Sequence, residues 1–116
     1  TDSSVISCIA NDYSYDEIFS RQIEGLGQKN DLALGISTSG NSDNVVNAIK
    51  KANSMGLYTI AMTGKDGGKC AEVTDLLLNV PSFSTPRIQE AQITILHIVC
   101  ELLEEEMFGE NEGEQQ

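Results

Sequence analysis

Three short aliphatic runs restrict this chain most: residues 32–37 (LALGIS), 57–62 (LYTIAM) and 76–80 (LLLNV). Each is too short for an ordinary helix and reads as a strand, the first of them as a buried one. Helical patterns separate them. Residues 14–27 carry Ile18, Phe19, Ile23 and Leu26 at helical spacing. Ser14 and Glu17 are placed as a capping box, and Gly27 is a natural stop. Ser42 is placed as the N-cap of a second helix whose apolar stripe is Val45, Val46, Ile49 and Ala52, with Lys50 and Lys51 facing out and Gly56 ending it. Residues 64–68 (GKDGG) predict a loop, residues 69–73 a short helical turn, and residues 81–85 a second loop. Pro86 fits the first turn of a last helix running to about Met107. Residues 93–100 are apolar on nearly every side, so burial inside the domain or against another subunit is expected. Alternation of strands with helices gives an α/β fold with a parallel sheet flanked by helices.

Size and charge narrow the function. The 116 residues suffice for one small domain, here residues 1–108, followed by a tail, 109–116 (GENEGEQQ), that has no apolar content and is expected to be disordered. The core must be aliphatic, because Trp is absent and aromatics are 5%. The formal charge is −11, and six of the 18 acids lie in the last thirteen residues. That balance repels phosphate backbones and disfavours nucleic acid as a partner. Cys8, Cys70 and Cys100 are widely spaced with no CxxC, and His97 is the only histidine. A disulfide framework or a Cys/His zinc cluster is therefore not expected, and a reducing cytoplasm is. No stretch is long and apolar enough to span a membrane, and no signal-peptide pattern opens the sequence. The chain opens at Thr1 without a methionine and is expected to be part of a longer protein.

Ligands of parallel α/β sheets sit beyond the carboxyl ends of the strands. At the first such end stands Ser37-Thr38-Ser39-Gly40-Asn41-Ser42, with four hydroxyls and a glycine in six residues. Gly40 permits a tight turn and close backbone approach, while the following helix offers free N–H groups and the positive end of its dipole. Such a loop can wrap a phosphate monoester. The same residues also suit a plain Ser/Thr-rich turn with an N-cap. It is not a Walker A loop, and residues 64–69 (GKDGGK) have the wrong spacing for one, reading more simply as a flexible connection.

Residues 35–42 (GISTSGNS), the helix after them and residues 62–69 (MTGKDGGK) together resemble the signature of the SIS (sugar isomerase) fold in its phosphoheptose isomerase branch. Arg87-Ile88-Gln89-Glu90 and His97 match that branch's last helix. Ala10-Asn11-Asp12-Tyr13 and Glu17-Ile18-Phe19 match its middle segment, so the resemblance covers residues 1 to about 108. It implies a three-layer fold and an aldose–ketose isomerase of lipopolysaccharide precursor biosynthesis. Such an enzyme converts sedoheptulose 7-phosphate to D-glycero-D-manno-heptose 7-phosphate in the cytoplasm, as a homotetramer without a nucleotide cofactor. It further implies that Ser37, Ser39 and Ser42, helped by Thr38, hold the phosphate. Asn11, Asp12 and Gln89 then contact substrate, and His97 acts with Gln89 in catalysis. Some members bind zinc at the positions of Gln89 and His97. These two are eight residues apart, roughly 12 Å along a helix, so they share one ligand only from opposite ends or across a distortion. Without the resemblance, His97 reads as a hydrogen-bonded core histidine.

Two departures qualify the match. Family members often carry histidine where this chain has Gln92. The family's first strand, its Gly-Asn-Gly-Gly-Ser phosphate loop and the helix with its catalytic glutamate correspond to sequence before Thr1. A rival reading is a non-catalytic SIS module that senses sugar phosphates or binds the replication initiator. The serine loop suits both readings, whereas Gln89 with His97 favours the enzyme.

Overall fold

The structure, a computed structural model, describes residues 2–109. The three aliphatic runs form one parallel sheet in the order β1 (Leu32–Ser37), β2 (Tyr58–Gly64), β3 (Leu76–Val80). The third strand has the predicted bounds, but β2 runs two residues further than the LYTIAM run. Gly64 was expected in the loop, yet it pairs with Val80 in the ladder, and Thr63 pairs with Ser37 and Asn79. Ser37, Thr63 and Asn79 therefore stand in register across the sheet at its carboxyl end.

The helices are α1 (Ser3–Asp12), α2 (Ser20–Leu26), α3 (Asp43–Ser54) and α4 (Thr85–Phe108). Helix α3 supplies the core of one face: Val45, Val46 and Ile49 are buried against Ala61 of β2 and Cys70, with Phe19, Val73 and Leu77 packed around them. Burial of each such aliphatic side chain stabilises by about 1.5–3 kcal/mol. Gly35 makes the close approach possible, since a Cβ there would stand 3.0 Å from Val45 Cγ1 and 3.1 Å from Ile49 Cδ1. On the opposite face, Ile88 and Gln92 are the buried residues of α4. The Gln92 amide donates to the Met62 carbonyl at 3.5 Å, so glutamine keeps a polar role at this buried position.

Several expectations need correction. Residues 14–27 do not form one helix. A 3-10 turn, Tyr15–Glu17, precedes α2, and Ser14 makes no capping bond. Glu17 instead accepts from the Ser20 hydroxyl at 2.6 Å, and the turn lets Ile18 bury fully where the 3-10 segment packs on α3. Helix α1 lay in a segment for which no helix was expected. Asp2 caps it by accepting from the amides of Ser4 and Val5, and none of its residues is buried. The short turn after β2 is a 3-10 helix at Gly68–Glu72. Residues 93–100 are not enclosed by the described chain, since Ile93, Ile98 and Val99 are exposed. Length explains this: 24 helical residues span about 36 Å, whereas a seven-residue strand spans about 23 Å, so α4 outruns the sheet. Of the expected tail, residues 110–116 lie outside the described residues.

Candidate functional site

The serine loop sits where β1 gives way to α3. Ser37, the last residue of β1, is buried, and its hydroxyl lies 2.8 Å from that of Ser42. Ser42 occupies the N-cap position as expected, but its hydroxyl does not cap α3. It faces Ser37, while its carbonyl accepts from Val45 and Val46 at 3.0 Å each. Gly40 closes the turn by donating to the Ser37 carbonyl at 3.0 Å, with φ of 70°. The Ser39 hydroxyl accepts from the Asn41 amide at 3.1 Å. The first amides of α3 have no intrahelical acceptor and lie at the positive end of its dipole.

A second loop supports the first. A Cβ at Gly40 would overlap the Gly67 carbonyl, so the two backbones touch. Cys70 donates its amide to Gly40 O at 2.9 Å, and Lys69 donates its amide to Asn41 Oδ1 at 3.0 Å. The Lys69 ammonium lies 2.9 Å from Asp43 in the first turn of α3, and that hydrogen bond and charge raise its pKa. The second loop is itself held from β3. Asn79 accepts from Thr63 Oγ1 and donates to Lys65 O, both at 3.0 Å. Residues 64–69, expected as a flexible connection, are thus tied at both ends.

Helix α4 approaches from the other side, where Gln89 Nε2 donates to Thr38 Oγ1 at 3.4 Å. The structure therefore brings together Ser37, Thr38, Ser39, Ser42 and Gln89. It does not add Asn11 and Asp12, which end α1. Among the described residues their side-chain hydrogen bonds run to one another at 3.0 Å and to Cys8. Nor does it add His97, which is exposed on the same unbroken α4, about 12 Å along the axis from Gln89. The hydrogen-bonded core histidine is thereby replaced by an exposed one. Among the described residues no three His, Cys, Asp or Glu side chains converge on a metal position. Gln89 and His97 are two donors on one helix, and a zinc site takes four. These residues do not by themselves fit zinc. An apolar cleft of about 380 Å³ lies away from the hydroxyls, between α2, α3 and the outer edge of β1. It is open sheet edge and offers no comparable cluster of donors.

Asn41, Lys69 and Asn79 were missed as site residues. Asn41 and Lys69 lie in the SGN and GKDGGK strings and Asn79 is the one polar residue of LLLNV, but the contacts they make are long-range and invisible to spacing.

A parallel sheet with a hydroxyl-rich turn at a strand end, set on a helix N-terminus, defines an α/β domain whose loop is able to receive an anion. The SIS domain model matches residues 1–64, and the chain belongs to the SIS domain family. It is similar to the phosphoheptose isomerase of Sulfurimonas denitrificans, 54% identical over 110 residues, covering 95% of this chain and 56% of that protein. It is 50% identical over 111 residues to that of Helicobacter pylori strain Shi470, covering 96% and 58%. Among solved structures, phosphoheptose isomerase GmhA from Neisseria gonorrhoeae superposes with a TM-score of 0.88 at 47% identity, covering 90% of this chain and 58% of that one. The chain thus spans just over half the length of the relatives it matches.

Proposed function

We propose that the protein carrying this chain is a sugar-phosphate aldose–ketose isomerase that converts sedoheptulose 7-phosphate to D-glycero-D-manno-heptose 7-phosphate. The observation that carries this reading is the paired hydroxyls of Ser37 and Ser42 at the head of α3, with Gln89 reaching Thr38 across the loop. The phosphate is held by Ser37, Ser39, Ser42 and Thr38 and by the amides at the start of α3. Gln89 orients the sugar chain. Isomerisation moves a proton between adjacent carbons through an enediol and needs an acid/base group with water excluded. In a ketose 7-phosphate the reacting carbons stand at the opposite end of the chain from the phosphate. A base remote from the phosphate loop suits that chemistry, and His97 has that role here. Asn11 and Asp12 are assigned to substrate binding on their match to the family segment alone.

The finer parts of the reading follow the same family likeness. They are a homotetramer, a cytoplasmic setting in lipopolysaccharide precursor biosynthesis, and zinc taken up with Gln89 and His97 as two of its donors. Among the described residues no helix is long and apolar enough to cross a membrane. The test is turnover by the full-length protein, with sedoheptulose 7-phosphate supplied and the heptose 7-phosphate followed by carbon NMR. Binding without turnover would favour a sugar-phosphate sensor over an enzyme.

A further inference from the structure

The serine loop is not held by β1 and α3 alone. Asn41, which has no assigned contact with substrate, bonds in both directions. Its Oδ1 accepts from the Lys69 amide at 3.0 Å, its Nδ2 donates to the Ser39 carbonyl at 3.3 Å, and its own amide donates to the Ser39 hydroxyl at 3.1 Å. The partner loop leaves no slack. A Cβ added at Gly68 would stand 2.7 Å from Asn41 Oδ1, from the Gly40 carbonyl carbon and from Ser39 O, and Gly68 has φ of 53°. That loop is anchored in turn by Asn79 and by the Ser82 carbonyl, which accepts from Lys65 at 3.0 Å.

The geometry points to Asn41 as a positioning residue that clamps the phosphate loop to the Gly64–Lys69 turn, fixing Ser39 for a phosphate monoester. This rests on the phosphate reading above. Asn41 is exposed, so its loss removes the clamp without emptying the core. An untied loop must order itself when the anion binds, and that cost falls on affinity rather than on proton transfer.

The probe is inorganic phosphate, titrated into the full-length protein and into Asn41→Ala while the amides of Ser39, Gly40 and Ser42 are followed by NMR. Asn41→Ala is expected to weaken binding about tenfold, the size of one or two lost hydrogen bonds. KM for sedoheptulose 7-phosphate should rise by a similar factor with kcat little changed. A second measurement needs no variant: saturating phosphate should slow hydrogen exchange at the Lys69 amide, which lies in the partner loop. Equal phosphate affinity in Asn41→Ala, a fall in kcat without a rise in KM, or Lys69 exchange indifferent to phosphate overturns the clamp. Wild-type protein whose serine-loop amides ignore phosphate overturns the phosphate reading first, and the clamp with it.

Discussion

Ser37 and Ser42 stand with their hydroxyl oxygens 2.8 Å apart, one ending β1 and the other opening α3. Six residues of chain are folded back so that a strand end and a helix start present their hydroxyls together. Gly40 makes this possible, because φ of 70° and contact with the Gly67 backbone exclude a side chain there. Either hydroxyl can donate to the other, and an anion that accepts from both rearranges the pair at little cost.

The first prediction is that Ser39→Ala and Ser42→Ala each weaken sugar-phosphate binding. A hydrogen bond to a charged group contributes about 1.5–3 kcal/mol, roughly tenfold to 150-fold in affinity. Calorimetry with sedoheptulose 7-phosphate on the full-length protein checks this. Unchanged affinity in both variants would remove the loop from the site.

Cys70 sets a pH dependence. It is fully buried in the aliphatic core, and desolvation pushes its thiol pKa up. Between the unfolded value, about 8.5, and the higher folded value, the native state binds more protons than the unfolded one. Stability is therefore full below the unfolded value and is lost as pH rises toward and through the folded one. Urea midpoints measured from pH 7.5 to 9.5 should fall, and Cys70→Ala should flatten that slope. A slope identical in the variant would assign the effect to other groups.

The fold was legible wherever one local rule governed. LLLNV is a strand with the predicted bounds because its run is aliphatic except for Asn79 and bounded by turn residues. Pro86 and Ser42 mark helix starts because backbone geometry favours them there. Legibility failed where tertiary contact overrode local preference. Ser14 and Glu17 fit a capping box, yet Ile18 gains more from burial on α3 than the cap would give, and Glu17 bonds Ser20 instead. Helix α1 does carry Val5, Ile6 and Ile9 at helical spacing, a signal present in the sequence, yet none of its residues is buried by the described chain. The serine loop and Gln89 were visible as hydroxyls at a strand end and a family match. Asn41, Lys69 and Asn79 were not, because their importance lies in one loop touching another.

Helix α4 carries the third prediction. Ile93, Ile98, Leu102, Leu103 and Met107 are all about half exposed or more. Such a length of apolar surface is unfavourable in water and marks an interaction site. The full-length protein is expected to self-associate at micromolar concentration, and Ile98→Glu with Leu102→Glu should disperse the assembly. Light scattering reads both, and a clean wild-type monomer would count against an interface on this helix.

The last prediction concerns His97, exposed on α4 two turns beyond Gln89. An exposed side chain contributes little to stability, so His97→Asn should change it by no more than about 0.5 kcal/mol. An acid/base group contributes to the transition state alone. If His97 is the proposed acid/base group, the same substitution in the full-length protein should lower kcat by about 10²–10⁴-fold and leave substrate affinity nearly unchanged. The pH profile supplies an independent readout. The limb of kcat/KM that depends on the imidazole should vanish in the variant while any carboxylate limb remains. Gln89→Ala provides the contrast, since a residue that orients the sugar should raise KM and retain the imidazole limb. If His97→Asn keeps its rate but loses thermal stability, the histidine is structural. Its place on α4 would then be explained by packing in the assembly, and the acid/base group must be sought elsewhere, with Glu90 beside Gln89 the next to substitute.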